Sequence, residues 1–412
     1  MKIALVCDWL TNVGGAEKVL LELHRLYPKA PIYTSKYDPK GIDWFADVDV
    51  RTGWLQKFPT KLRRVLGPLR QWYFSHLDLS EYDLIISVTG AEAKAVKSGK
   101  WLHANGKSVK CPEGLHISYC HVPTQYYWQM YDEYMKNPGF GVLNPLVRLC
   151  FRLLVVPLRR ADLKAAQRPD YFVTISEYSR EMMKKYYGRE AVVIHPPVEV
   201  TSFQTVLNDA SRARSRSRPS SRGSRSFVLG SSLRKIPQST VQNHSEYYIT
   251  TSRQVNWKRI DLAVKACLMT QRKLLVIGEG PEHDELVKLA AGSGLVEFLP
   301  VMKKEELVGY LAGAKGFLFP SLEPFGIAPV EALAAGCPVI AFGEGGARDY
   351  VIDGKNGIMF EKQTAKSLAD AIMRFEKCKF NREKVAKTVE EFAVVRFDKE
   401  IRDFVKRCEK KK

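Results

Sequence analysis

Short apolar runs of strand length alternate with stretches of helical spacing twice along this chain, and that repetition constrains the fold most. In the first series, residues 2–7 read as a strand and 16–26 have helical spacing. Residues 83–87, 116–120, 172–176 and 192–195 are apolar runs of strand length. Pro196-Pro197 then breaks the pattern. The second series opens at residues 247–250. It continues with a helix from Ile260, a strand at 273–277, a helix from Glu282, a strand at 296–299 and a helix from Lys304. A strand at 316–320, a helix carrying Glu331, a strand at 338–342 and helices through 364–408 complete it. Such alternation predicts parallel sheets covered by helices on both faces. A chain of 412 residues accommodates two such domains. The expected fold class is therefore α/β, with two facing doubly wound Rossmann-like domains and ligands bound in the cleft at the carboxyl ends of the strands.

Between the series the composition changes. Residues 211–226 are almost entirely Ser and Arg, with too few apolar side chains to form a core, so the segment 203–245 is expected to be disordered and dispensable. The expected boundaries are 1–200 for the N-terminal domain, 201–246 for a linker insert and 247–389 for the C-terminal domain. The net charge is +19, and residues 201–245, with eight Lys/Arg and one Asp, supply +7 of it. A basic surface suggests an anionic partner: nucleic acid, lipid headgroups or a phosphorylated substrate. The Ser/Arg tract lacks nearby aromatics, and a nucleic-acid partner is not expected. Eight scattered cysteines with no C-x-x-C pair fit free thiols in a reducing compartment. Residues 1–8 are too short, and meet Asp8 too soon, for a signal peptide, and no run reaches the length of a membrane span.

The chemistry concentrates in residues 321–336, Ser-Leu-Glu-Pro-Phe-Gly-Ile-Ala-Pro-Val-Glu-Ala-Leu-Ala-Ala-Gly. Residues 317–320 before it read as a buried strand. Pro329 suits the first position of a helix and Gly336 its stop, which would put Glu323 on the loop and Glu331 in the first helical turn. Amides around Gly326 and Ile327 would face the crevice. Amides bind phosphate and carboxylates accept bonds from hydroxyls, so such a turn suits an anion flanked by hydroxyls, as in a sugar nucleotide.

This string resembles the Glu-x7-Glu signature of the retaining glycosyltransferases of family 4: Glu323-Pro-Phe325-Gly326, Glu331-Ala332 and Gly336-Cys-Pro-Val339 match it without a gap. The resemblance covers nearly all of the chain outside 203–245. It implies the GT-B fold, in which the last helix, near 390–412, crosses back to the N-terminal domain. It also implies roles for residues that spacing alone leaves open between a plain turn and a site. Val13-Gly14-Gly15-Ala16 follows the first strand and opens the first helix, where glycines allow close backbone approach and the helix end attracts phosphate. Its family counterpart lies against the donor diphosphate and sugar. Ser252-Arg253 and Lys258 match the family's Ser-Arg-x4-Lys, whose cations hold the donor diphosphate and stabilise the charge on the leaving group. Gly278-Glu279-Gly280 lies near the nucleotide in the family. The loop at 299–302 has Pro300 where the family usually has glycine, which removes a backbone donor from base recognition. His121 ends the strand 116–120 and matches the histidine that contacts the donor sugar. The aromatic run 125–131 reads either as a core helix or as a platform for sugars. With Asp8-Trp9 it resembles a mannosyltransferase subgroup of bacterial O-antigen assembly.

The resemblance therefore implies a retaining hexosyltransferase, with mannose from GDP-mannose as the donor and a glycan or lipid-linked hydroxyl as the acceptor. Arg253, Lys258, Glu323 and His121 would be catalytic, and Gly14, Gly15, Gly278, Glu279, Gly280, Phe325, Gly326, Ile327 and Glu331 would bind the donor. No His/Cys cluster at ligand spacing is present, and no metal and no other cofactor is expected. A UDP-sugar transferase, or a binding protein with a lapsed site, remains open on the sequence. Residues 57–70 and 148–168 alternate basic and apolar residues, which reads either as ordinary helices or as a surface resting on anionic lipid. The expected location is cytoplasmic, peripheral at the inner face of the membrane.

Overall fold

The computed structural model describes residues 1–60, 66–99, 101–104, 107–110, 114–136, 138, 141, 144–205 and 247–411. Most of the Ser/Arg segment, residues 206–246, lies outside the described residues, as do 61–65 of the basic stretch 57–70. The chain divides into unit 1, Met1–Pro197 with Val395–Lys412, and unit 2, Val198–Val394.

Unit 1 holds a seven-stranded sheet. Its strands are β1 (Ile3–Cys7), β2 (Ile32–Thr34), β3 (Val50–Thr52), β4 (Leu84–Thr89), β7 (Leu115–Cys120), β8 (Tyr171–Thr174) and β9 (Val192–Val193). They run in the order β3-β2-β1-β4-β7-β8-β9, every pair parallel. A separate antiparallel hairpin, β5 (Trp101–Ala104) with β6 (Lys107–Lys110), is inserted before β7. β4 and β7 are buried along their whole length. A parallel strand covered on both faces must be apolar throughout, which is why these runs were legible as strands. The helices include α1 (Gly15–Leu26), α2 (Gly67–His76), α3 (Tyr131–Lys136), α4 (Asn144–Ala165) and α5 (Glu177–Tyr187).

Unit 2 holds β10 (Tyr247–Thr251), β11 (Lys273–Ile277), β12 (Val296–Leu299), β13 (Gly316–Phe319), β14 (Val339–Phe342) and β15 (Gly357–Phe360). Their order is β12-β11-β10-β13-β14-β15, again all parallel. Counted by first appearance this is 3-2-1-4-5-6, the doubly wound order with one reversal, between β10 and β13. Helices α6 (Ile260–Thr270), α7 (His283–Ala290), α8 (Lys304–Gly313), α9 (Ile327–Ala334), α10 (Ala365–Phe375) and α11 (Arg382–Lys387) complete the unit. The core between α6, α10 and the sheet is built from Val264, Cys267, Leu274, Val276, Leu368 and Ile372, all fully buried.

The last helix, α12 (Val394–Lys410), packs into unit 1. Phe397 meets Tyr119 edge-on, and Phe404 meets Tyr171 in the same way. The N-terminal boundary differs from the expected one. Residues 198–205 belong to unit 2: the Val198 amide donates to the Phe392 carbonyl at 2.9 Å, Phe203 is buried, and Gln204 Nε2 donates to the Ala386 carbonyl at 3.0 Å. Residues 200–205 are helical. Composition misplaced this edge because a single buried phenylalanine beside a polar tract leaves little periodic signal.

Buried charge organises unit 1. Lys94 and Asp162 form a fully buried ion pair at 2.7 Å. The Asp162 carboxylate also accepts from Thr124 Oγ1 (2.9 Å), Trp128 Nε1 (2.7 Å) and Tyr187 OH (2.8 Å). Burial alone lowers the Lys94 pKa, but Asp162 and Tyr187 reverse this and hold it well above the usual ammonium value. Arg70 pairs with Glu92 at 3.0 Å, and Tyr126 OH donates to Glu92 at 2.5 Å. The aromatic run 125–131 is thus neither a core helix nor a free platform. Residues 125–130 form turns whose polar edges satisfy these acids.

Asp162→Ala should destabilise unit 1 by about 3–5 kcal/mol, the cost of stranding a buried charge. Denaturant unfolding of the full chain measures this. Replacing residues 207–232 by about ten Gly/Ser residues should leave the melting temperature unchanged, because closure entropy varies slowly with linker length. A shift of several degrees would show that this tract packs.

Candidate functional site

In an open parallel sheet, the loops on either side of the strand-order reversal diverge and leave a crevice. In unit 2 these are the loops after β10 and β13. They carry Ser252–Arg259 and Pro320–Gly326, where the sequence placed Arg253, Lys258 and Glu323.

Lys258 Nζ lies 2.6 Å from Glu323 Oε1, and both side chains are only about one-fifth exposed (23% and 18%). The structure therefore brings together two of the sequence-predicted residues, across the switch point. Ser321 Oγ donates to the same carboxylate oxygen at 2.8 Å. Lys258 closes a 3-10 turn, Asn256–Lys258, ahead of Arg259, which has φ +51° and caps α6. Arg259 donates to Asp261 (3.1 Å) and Gln363 (3.4 Å), and Gln363 Nε2 donates to the Pro320 carbonyl at 2.9 Å. These bonds tie the loop after β10 to the loop after β13. Arg253 is exposed, and among the described residues no side-chain partner is found for it.

Gly278 and Gly280 serve the backbone. Gly278 has φ +128°, and a Cβ there would stand 2.2 Å from the Ser252 carbonyl. A Cβ on Gly280 would stand 2.2 Å from the Gln254 carbonyl. The loops after β10 and β11 thus pack backbone to backbone, and Glu279 between the glycines is exposed. Gln254, fully buried, stitches them: its Nε2 donates to the Gly278 carbonyl (2.5 Å), its amide donates to the Glu279 carbonyl (2.8 Å), and its Oε1 meets His283 Nδ1 at 2.8 Å. Sequence reading passed over Gln254, since one glutamine beside a basic turn carries no signal.

The Glu323–Glu331 stretch departs from expectation. α9 begins at Ile327 with Gly326 (φ +89°) as its cap, so Pro329 is the third helical residue and Glu331 the fifth. Glu331 sits in the second turn, beyond the strongest influence of the helix N-terminus. Pro329 still fits, because its missing N–H falls among the first-turn amides that have no helical partner. The first-turn amides of Ile327 and Ala328 have no partner within the helix, and Gly326 and Ile327 are part-exposed. Phe325 is buried against Tyr350 and Phe392, so its ring does not face a ligand. Tyr350 OH donates to the Phe325 carbonyl at 2.8 Å. Burial, then the charges of Glu323 and Asp349, hold the Tyr350 pKa well above its usual value, so it remains a neutral donor. Gly345 and Gly346, missed in the sequence although they lie in the loop after β14, support the same loop. Cβ atoms there would stand 2.5 Å from the Glu323 carbonyl and 2.3 Å from the Pro324 carbonyl, and the Gly346 amide donates to Glu323 O at 2.8 Å.

Gly14, Gly15 and His121 lie in unit 1, at the carboxyl ends of its central strands. Gly14 is the extended cap of α1, and a Cβ there would crowd Glu17 Oε2 at 2.7 Å. His121 Nδ1 donates to the Thr89 carbonyl at 3.0 Å, so Nδ1 carries a proton when the ring is neutral. Its Nε2 is buried and has no hydrogen-bond partner among the described residues. Burial is the largest influence on the ring and lowers its pKa, which favours the neutral form. Beside it, Asp8 accepts from Thr89 Oγ1 and from the Gly90, Ala91 and Ala93 amides, at 2.7–3.1 Å.

Comparison with known proteins agrees with this architecture. Residues 233–392 match the family model described as Glycosyl transferases group 1, so unit 2 carries a glycosyltransferase group 1 domain. The match begins inside the span 201–246 that composition assigned to an insert. A GDP-mannose-dependent alpha-(1-6)-phosphatidylinositol monomannoside mannosyltransferase of Mycolicibacterium smegmatis is 27% identical over 53% of this chain and 56% of its own length. A D-inositol 3-phosphate glycosyltransferase of Nocardioides is 37% identical over 24% of each. The chain thus spans about half the length of the first of these relatives and about a quarter of the second. Among solved structures, HepE of Anabaena in complex with UDP superposes with a TM-score of 0.64, at 18% identity, over 98% of this chain and 100% of that one. Sucrose-phosphate synthase of Thermosynechococcus elongatus gives 0.66 at 16% identity over the whole of both chains. These likenesses establish the GT-B fold.

Gly278→Ala should cost roughly 1–3 kcal/mol, the range for a residue forced into a sparsely populated backbone region. Thermal unfolding of the full chain reads this directly. An unchanged Tm would mean that the two loops do not depend on the glycine.

Proposed function

We propose that this protein is a retaining glycosyltransferase of the family 4 type, which moves a hexose from a nucleotide sugar to a hydroxyl of a glycan or lipid-linked acceptor. The observation that carries the reading is the Lys258–Glu323 pair at the switch point of unit 2, a part-exposed cation fixed in a crevice. When a glycosidic bond to a nucleoside diphosphate breaks, negative charge grows on the leaving phosphate. A cation already held in place stabilises that charge without reorganising during the reaction. Lys258 takes this role, with the exposed Arg253 as the second cation. The amides of Ile327 and Ala328 supply further donors at a helix N-terminus. Glu323, held by Ser321, and Glu331 accept bonds from sugar and ribose hydroxyls, and the diphosphate takes over from Glu323 as the partner of Lys258. The roles the family gives to His121, Gly14 and Gly15 toward the donor sugar belong to the same proposal. Glu279 and the Phe325 backbone complete the donor contacts.

GDP-mannose is the proposed donor. It is named for the M. smegmatis relative, which matches over the longest stretch of the two compared above. The reaction as proposed needs no metal, because two cations and the helix amides already meet the diphosphate.

The test is a panel of sugar nucleotides screened for thermal stabilisation and slow hydrolysis. GDP-mannose should give the largest shift, and a larger shift with a UDP-sugar would reassign the donor. Stabilisation without any hydrolysis would favour a lapsed binding protein. Lys258→Ala and Arg253→Ala should each lower kcat by about 10²–10³, as for loss of one preorganised electrostatic group. Turnover should persist in EDTA. Its loss, restored by magnesium or manganese, would contradict the assignment of the diphosphate to side-chain cations.

A further inference from the structure

One face of α4 in unit 1 is apolar and open to solvent. Leu146, Leu149, Leu153 and Pro157 follow each other at intervals of three or four residues, so they form one stripe along the helix. Leu146, Leu149 and Leu153 are 59%, 55% and 69% exposed, and Leu154 and Val156 flank them at about half exposure. The opposite face is the packed one, with Val155, Leu158, Asp162 and Ala165 buried. The outer stripe is therefore left over after the helix has met its own core.

The stripe continues at the same spacing into Arg160 and Lys164, both exposed. Arg152 is exposed beside it. Arg148 and Arg159 are turned to other tasks: Arg148 donates to the Lys136 carbonyl, and Arg159 donates to the Tyr127 carbonyl at 2.7 Å. The only acid in the helix is Asp162, buried against Lys94. The open face is thus leucine-rich at one end, cationic at the other, and free of negative charge. α2 packs beside α4 and adds an exposed Trp72. No described helix is long and apolar enough to cross a membrane.

We propose that the outer face of α4 docks on an anionic lipid surface, with the helix lying in the interface plane. The leucines enter the acyl boundary, Arg152, Arg160 and Lys164 meet lipid phosphates, and Trp72 anchors at headgroup depth. Charge decides the occupant. A second copy of this face would bring cations but no acids to Arg160 and Lys164, whereas an anionic bilayer meets both halves of the stripe. The inference goes beyond the transferase reading and does not depend on it.

The test is co-sedimentation of the full chain with phosphatidylcholine vesicles and with vesicles also containing phosphatidylglycerol. Binding should require phosphatidylglycerol and be released by salt. Leu149→Ser/Leu153→Ser should weaken it by about tenfold or more, from the apolar surface lost. Arg160→Gln/Lys164→Gln should weaken it by roughly fivefold per charge at low salt. Both pairs are exposed, so thermal unfolding should be unchanged, and slow donor hydrolysis in solution should be unaffected. Equal binding to both vesicle types, no binding, or binding that neither variant weakens would overturn the proposal. So would concentration-dependent self-association abolished by the serine pair, which would assign the face to a second copy.

Discussion

The reversal of strand order between β10 and β13 is the constraint on which the site in unit 2 depends. Helices leaving neighbouring strands to opposite faces cannot close the gap between their loops, so side chains there are never fully packed. Lys258 and Glu323 occupy that gap. An ion pair with this much solvent contact contributes little to stability. Its consequence is positional: the ammonium group has one preferred place before any ligand arrives. The surrounding devices serve the same end. Gln254 and the Gly278 and Gly280 contacts lock the loops after β10 and β11 together. Gly345, Gly346 and Tyr350 brace the loop that carries Glu323. A side chain can be preorganised only as well as the backbone beneath it.

Unit 1 answers the same topology differently. Its reversal, between β1 and β4, is closed from within by Asp8, whose carboxylate gathers a hydroxyl and three amides from the turn after β4. That turn holds Glu92 and Lys94, each of which meets an opposite charge in full burial. Desolvation consumes most of the attraction in such pairs, so they are weak sources of net stability. They do penalise any alternative packing that separates them. Thr124 shows how tightly this is drawn: its hydroxyl bonds Asp162 while also receiving the Lys94 ammonium, and its amide donates to Tyr187.

The legible parts of the sequence were those where one physical requirement acts alone. β11 and β12 were readable to the residue, because each is a short, mostly apolar run bounded by turns. β2 and β3, three residues each, and β15, a Gly-Ile-Met-Phe run after a turn, were not read as strands. Three residues carry no period, and β15 looks like the end of a loop until its neighbour β14 is in place. Lys258 and Glu323 could be singled out because charged residues just past strand ends are visible in sequence. That they touch could not, since it depends on two loops far apart in the chain bending toward each other. Gln254, Glu92 and Lys94 were invisible for a related reason. Buried polar residues look like surface residues until their partners are known.

The placement of Glu331 shows how one backbone choice changes the chemistry available. Proline at 329 invites a helix start there, and that start would leave Glu331 in a turn where the helix dipole favours a carboxylate. The chain starts two residues earlier because Gly326 alone can adopt φ +89° where its missing side chain leaves room for the Phe319 ring, which a Cβ would approach to 2.5 Å. The early start makes Ile327 and Ala328 first-turn amides with no partner within the helix and moves Glu331 a turn deeper. The carboxylate thereby stands apart from the positive end of the helix. A helix starting at Pro329 would set its own acid against its own amides, and the two would satisfy each other. Starting at Ile327 instead separates the two along the helix.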